Sequence, residues 1–164
     1  MKIRTIAWGL MVLVALAGCA AQSPATLNVD LAGGAAILQP MSLEQLARDA
    51  DRILVGTVVL TESAWNADKT AIFTTVRLRV GEAVKGSKPR EVVLRVEGGQ
   101  VGDIAQSVSG GLSFAEGQQV VLFLKGMSVL GGPQGVYVAS GGEVGGQSLA
   151  DFLDEVRAAA RASR

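Results

Sequence analysis

Ile72-Phe-Thr-Thr-Val-Arg-Leu-Arg-Val80 alternates without a break. Ile72, Thr74, Val76, Leu78 and Val80 take one side, and Phe73, Thr75, Arg77 and Arg79 the other. A period of two puts successive side chains on opposite faces of a strand, so this segment predicts a sheet with one face in a core and one in water. The segments around it repeat the pattern. Ile53 to Thr61 is rich in β-branched residues and predicts a strand before it, joined through a polar connection from Thr61 to Thr70. Downstream, Lys85-Gly-Ser-Lys-Pro-Arg90 reads as a turn, and Glu91 to Glu97 returns antiparallel with Val92, Leu94 and Val96 inward.

Residues 98 to 118 form a long glycine-rich connection carrying a short strand between Asp103 and Val108. Two further strands are expected at Gln119 to Lys125 and Gly135 to Ser140, joined by a glycine-proline loop. A helix precedes the sheet. Ser42 and Gln45 form a capping box, Met41 and Leu46 a hydrophobic staple, and Leu43, Leu46, Ala47 and Ala50 one apolar face. A helix also closes the chain, capped by Ser148 and striped by Leu149, Phe152, Leu153, Val156, Ala159 and Ala160. The expected class is α+β, mainly β: a small antiparallel five-stranded barrel of the OB type, partly open, with a short helix before it and a C-terminal helix after it. A two-layer open sheet covered by the helices is the alternative.

The first residues follow other rules. Lys2 and Arg4 precede eleven uncharged residues, Ile6 to Leu16. That run falls short of the roughly 20 residues needed to span a bilayer, and it suits the apolar region of a secretory signal. Leu16-Ala17-Gly18-Cys19 then resembles the lipobox of bacterial lipoproteins and holds the only cysteine of the chain. The resemblance implies a diacylglyceryl group on the Cys19 sulfur, cleavage between Gly18 and Cys19, and acylation of the new amino group. A thiolate is the nucleophile such alkylation needs, and two or three chains anchor a protein where one barely does. Ala20 in place of aspartate implies export to an outer membrane, facing the periplasm. The chain thus divides into a signal peptide (1–18), a lipidated cysteine and tether (19–40), and one β-rich domain (41–164). Ala20 to Thr26 reads as a flexible tether; Leu27, Val29, Leu31, Ile37 and Leu38 leave open whether its later part docks on the domain.

Ser42-Leu-Glu-Gln-Leu-Ala-Arg-Asp-Ala-Asp-Arg-Ile-Leu-Val-Gly-Thr-Val-Val59, with the Ile-Phe-Thr-Thr-Val strand and Val-Val-Leu-Phe-Leu further on, resembles exported bacterial domains of unassigned function. The phrase Ala50-Asp-Arg-Ile-Leu-Val-Gly-Thr-Val58 is also similar to the first strand of netrin-like domains, the OB-type class that includes tissue inhibitors of metalloproteinases. Those inhibitors act through a free N-terminal cysteine amine held by disulfides. Here that amine would be acylated and no second cysteine exists, so the resemblance implies the fold without the mechanism.

Composition removes whole classes of chemistry. There is no histidine among 164 residues, which excludes Ser-His-Asp and Cys-His catalysis and imidazole metal sites. Fifteen basic residues balance fifteen acidic ones, and loss of Lys2 and Arg4 with the signal leaves a slight negative excess. That balance gives nucleic acid no footing as a partner. Glu97 and Asp103 flank a double glycine, but two carboxylates fall far short of the six to eight oxygens calcium takes. No cofactor is implied. The candidate binding residues are Arg77, Arg79 and Arg95, outward on adjacent strands near Lys85, Lys88 and Arg90, and Trp65 in the first hairpin loop. The arginines form either an anion-binding patch or a solvated face paired with Glu91 and Glu97; Trp65 is either an interface anchor or a plug over the barrel end. The functional expectation is a lipid-anchored envelope protein, a non-catalytic binding or structural module whose partners are the membrane through Cys19 and an envelope protein. The alternatives are a histidine-independent hydrolase and an inhibitor or accessory subunit of an envelope protease.

Overall fold

The structure is a computed structural model that describes residues 39–162. The signal segment, Gly18, Cys19 and the tether up to residue 38 lie outside the described residues.

The described chain runs α1 (Leu43–Asp49), β1 (Arg52–Trp65), β2 (Ile72–Lys85), β3 (Glu91–Glu97), β4 (Gly99–Val101), β5 (Ile104–Gln106), β6 (Gln119–Lys125), β7 (Ser128–Val129), a 3₁₀ turn (Gly132–Gly135), β8 (Val136–Ala139), β9 (Glu143–Val144), β10 (Gln147–Ser148) and α2 (Leu149–Ala162). The class is α+β, mainly β. Both helices start as their sequences dictate. Ser42 Oγ accepts the Gln45 N–H and Gln45 Oε1 accepts the Ser42 N–H, closing the capping box of α1. Ser148 Oγ accepts the Asp151 N–H at 3.1 Å and donates to the Asp151 carboxylate at 2.6 Å.

The main sheet is antiparallel and has six strands in the order β3-β2-β1-β6, with β7 and β8 sharing the far edge of β6. It does not close. Among the described residues β3 pairs with β2 alone, so the expected five-stranded barrel is an open sheet. The reason lies in the stretch that would have to reach β3. Gly126, Gly131 and Gly132 there take positive φ and Pro133 has no N–H, so after two residues of β7 the chain breaks into turns. The first hairpin is also longer than its apolar residues announce, with β1 extending through Trp65 and β2 through Lys85. Register shifts at three points of β1, the last at Val58/Leu60, bend the pair. Gly56 permits the closest approach, since a Cβ there would stand 2.9 Å from the Arg79 carbonyl oxygen.

Each face of the sheet buries its own cluster. On one, Ile53, Val55, Val121 and Phe123 pack under Leu46 and Ala47 of α1 and Phe152, Leu153 and Val156 of α2. On the other, Leu54, Val58, Val76, Leu78, Leu94, Val96, Leu122 and Leu124 pack together, with Leu112 and Phe114 of the glycine-rich connection against them. β6 is buried on both faces, which explains its unbroken apolar run. Lys85 is strand and not turn: its Nζ donates to the Ala47 and Arg48 carbonyls at 2.8 and 3.0 Å, finishing the C-terminal end of α1.

Candidate functional site

β3 alternates exposed and buried along its whole length, with Val92, Leu94 and Val96 inward and Glu91, Val93, Arg95 and Glu97 outward. Bonds at both ends of the β2–β3 ladder fix its phase. The Val80 N–H meets the Arg90 carbonyl at 3.0 Å, and the Gly98 N–H meets the Ile72 carbonyl at 2.8 Å. In an antiparallel ladder bonded pairs alternate with unbonded ones, so Val92, Leu94 and Val96 spend their backbone groups on β2. The N–H and C=O groups of Glu91, Val93, Arg95 and Glu97 point to the free edge, where no backbone or side-chain partner meets them among the described residues.

The Arg95–Glu97 end of this edge looks into a cleft of about 360 Å³, while Glu91 and Val93 line a smaller hollow of about 140 Å³ with Arg52, Leu124 and Met127. Leu94, Val96, Leu112 and Val129 give the cleft apolar walls, Arg95 a charged rim and Pro133 its far side. A more polar hollow of about 600 Å³ adjoins it and shares Val96, Val108 and Leu112. The glycine-rich connection forms that hollow because it is stapled to the open end of the first hairpin. Gln106 Oε1 accepts the Ile72 N–H at 2.6 Å, Thr74 Oγ1 donates to the Gly98 carbonyl at 2.7 Å, and Glu116 accepts the Thr61 N–H at 2.9 Å. Ser63 and Thr74 hydroxyls meet at 2.8 Å beneath it.

Of the candidate binding residues Trp65, Arg77, Arg79 and Arg95, Arg95 alone lines the cleft, beside Glu97. Its guanidinium lies 4.1 Å from the Phe73 ring centroid. Arg77 faces Val93 and Arg79 faces Glu91 in register, on the same outer face as Arg95. Glu62, Glu91 and Glu97 occupy that face too, opposite or beside them, so the three arginines stand in a mixed-charge array. Neither Arg77 nor Arg79 forms an ion pair among the described residues, so the expected Arg–Glu pairing exists in register and not as contact. Lys85, serving α1, is not part of the array. Trp65 is the last residue of β1, paired with Ile72 and half-buried; the true tip follows it, organised by Asn66 Oδ1 accepting the Thr70 and Ala71 N–H groups. Its placement in the loop fails because Glu62, Ser63 and Ala64 before it continue the strand with polar and small residues, which carry no apolar signal.

The free edge itself was not read from sequence. Its one local signal is the charged outward set Glu91, Arg95 and Glu97, a common protection of edge strands. The titration behaviour that structure shifts lies on the helix side: burial and then Glu155 push the Tyr137 phenol up, hydrogen bonds to Glu82 and Asp154 push Arg157 up, and the Ser42 hydroxyl holds Glu44 down. No group of three or more metal-ligating side chains gathers among the described residues, and none of their helices is long and apolar enough to cross a membrane.

Fold and site together define an α+β protein built on an open antiparallel sheet with a strand edge presented to a cleft. No protein-family model matches the chain, and no curated protein matches it either.

Proposed function

We propose that this chain is a lipid-anchored, non-catalytic binding module of the bacterial cell envelope, held through Cys19 at the periplasmic face of an outer membrane. Its β3 edge receives an extended peptide segment of an envelope protein. The observation that carries the reading is the row of unspent backbone groups at Glu91, Val93, Arg95 and Glu97, the last two of them beside an apolar cleft. An added strand gains main-chain hydrogen bonds from that row and side-chain burial from Leu94, Val96, Leu112 and Val129. The mixed charges around Arg77, Arg79 and Arg95 favour a polypeptide over nucleic acid or a polyanion. The lipobox pattern Leu16-Ala17-Gly18-Cys19 supports the anchor, and the bulges of β1 support kinship of the sheet with a five-stranded OB-like barrel.

A photo-crosslinking residue at Val93, 49% exposed, tests it in intact cells, with Val138, 40% exposed on β8, as control. Val93 is expected to capture an envelope protein and Val138 not to. Equal capture at both, or hydrolytic turnover by the purified protein that one serine substitution abolishes, would overturn the reading. Cys19→Ser is expected to abolish lipid labelling and leave the precursor uncleaved; retention of both would remove the anchor.

A further inference from the structure

We infer that the partner's extended segment seats as a single strand in the seam between β3 and β7, antiparallel to both, with basic ends and an acidic residue between its first two apolar ones. The inference rests on the strand-accepting reading of the β3 edge and specifies what that edge selects.

Strand direction supplies the first argument. β2, β1 and β6 lie between β3 and β7, and every pairing along that path is antiparallel. β3 and β7 therefore run the same way. Joining them directly would put a parallel pair, the weaker kind per residue, into an antiparallel sheet. One strand placed between them completes an antiparallel ring instead. The β7 side has backbone groups to offer it. The Leu130 N–H is spent on the Phe123 carbonyl at 2.8 Å, and the Leu124 carbonyl accepts the Asp51 N–H of the opposite side at 2.8 Å. Val129 stands opposite Leu124, one step from a bonded pair, so its N–H and C=O point away from β6. No backbone or side-chain partner meets them among the described residues. The cleft has Leu94 to Glu97 on one side and Met127 to Val129 with Pro133 on the other, so unspent backbone groups flank it on both. A second copy would bring its edge strand as part of a sheet, whereas a seam with two walls suits a single segment.

Side chains supply the sequence requirement. On a segment antiparallel to β3, the residues opposite Val96, Leu94 and Val92 point inward. In the segment's N-to-C order, the first two enter the cleft with Leu112 and Val129. The third enters the hollow between Val92 and Leu124, and Met127 lines both spaces. All three positions call for apolar residues. The residues between them face Arg95 and then Val93 on the wet outer face, and the two ends face Glu97 and Glu91. Arg95, held over the Phe73 ring, favours a carboxylate directly opposite, and the glutamates favour lysine or arginine. The pattern is thus basic, apolar, acidic, apolar, neutral, apolar, basic.

The probe is the end-blocked peptide Lys-Leu-Glu-Leu-Thr-Val-Lys, compared with its isomer Glu-Leu-Lys-Leu-Thr-Val-Lys. The two share composition and net charge and differ only in what faces Glu97 and Arg95. Each is titrated to millimolar concentration into the full chain in detergent. The first is expected to bind about tenfold more tightly than the isomer, and to slow amide hydrogen exchange at Val93, Arg95 and Val129 by about tenfold or more. Leu94 and Val96, bonded to β2, should keep their rates and report an unchanged fold. Arg95→Glu is expected to erase the difference, because each peptide then meets one opposing charge. Equal affinities in the wild type would overturn the inference, as would protection of Val93 and Arg95 that leaves Val129 open. Val93 adducts in cells with neither peptide bound sink this inference alone. Peptide binding as expected, with no Val93 adducts in cells, sinks the envelope-partner reading alone.

Discussion

Along β1 and β6 the outward positions are Ile53, Val55, Val121 and Phe123; along β2 and β3 they are Arg77, Arg79, Val93 and Arg95. The alternation is the same in both halves of the sheet and the outcome is opposite. The apolar outer face gathers α1 and α2 over it and becomes core. The charged one stays wet, and the strand that carries it ends the sheet with its backbone unpaired. On the first half the outer face is spent on packing against the two helices. The second half retains what a partner could use: hydrogen-bonding groups, a cleft, and a loop of glycines held in place at only a few points.

Substitutions in the two halves should expose that division most strongly. Phe123 is fully buried, makes an edge contact with Tyr137 at 5.6 Å between centroids, and Tyr137 in turn contacts Phe152 at 4.8 Å. Phe123→Ala is expected to cost about 3–5 kcal/mol in urea unfolding. Leu94→Ala, at a cleft wall that can relax, is expected near the lower end for a buried leucine, about 2 kcal/mol. Equal costs would mean that the open half is packed as firmly as the covered one.

Gly99→Ala sharpens the comparison at the loop. Gly99 has φ near +134°, and a Cβ there would collide with Thr74 Oγ1 and Ser63 Oγ. The strain is expected to cost about 1–3 kcal/mol and to release the β4–β5 hairpin from the first hairpin. Its amides should lose protection while those of β6 keep theirs. Loss spread evenly over the sheet would deny that the loop is a separable unit.

Local rules made the covered half legible. Ser42 with Gln45 and Ser148 with Asp151 set both helix starts through contacts three residues apart, and the β6 run announced burial on two faces. The inward residues of β2 and β3 were equally plain. Three things escaped. Glu62, Ser63 and Ala64 extend β1 beyond Thr61 without hydrophobic contrast, so the period of two was invisible there. The β9–β10 hairpin consists of two-residue strands held by positive-φ glycines, too short for any period. The edge position of β3 depends on sheet order, a property of contacts far apart in sequence. That is why the candidate site was seen only as separate residues, of which Arg95 and Glu97 reach it.

Lys85→Met examines how the halves are joined, since β2 belongs to the open side while Lys85 serves the covered one. Removing its two charged hydrogen bonds to Ala47 and Arg48 is expected to cost about 1 kcal/mol and to fray the last turn of α1. A loss below measurement would mean that packing of Leu46 and Ala47 holds α1 without it.

The smallest effect is a slope confined to high pH, and it should belong to the covered half alone. Tyr137 is the only tyrosine in the chain, so absorbance of its phenolate reports the site directly. Burial first, and the Glu155 carboxylate second, disfavour the phenolate in the folded state and raise the pKa above its ordinary value of 10.0. The unfolded chain then loses the phenol proton before the folded one does. Its contribution to stability is accordingly complete below about pH 10 and is lost as pH rises through the higher folded value. Tyr137→Phe should remove this part of the alkaline decline and leave the curve at neutral pH in place. A folded-state phenol titrating at or below its ordinary value would show water reaching the ring between Phe123 and Phe152, and the contrast between a sealed half and an open one would fail at its best-packed point.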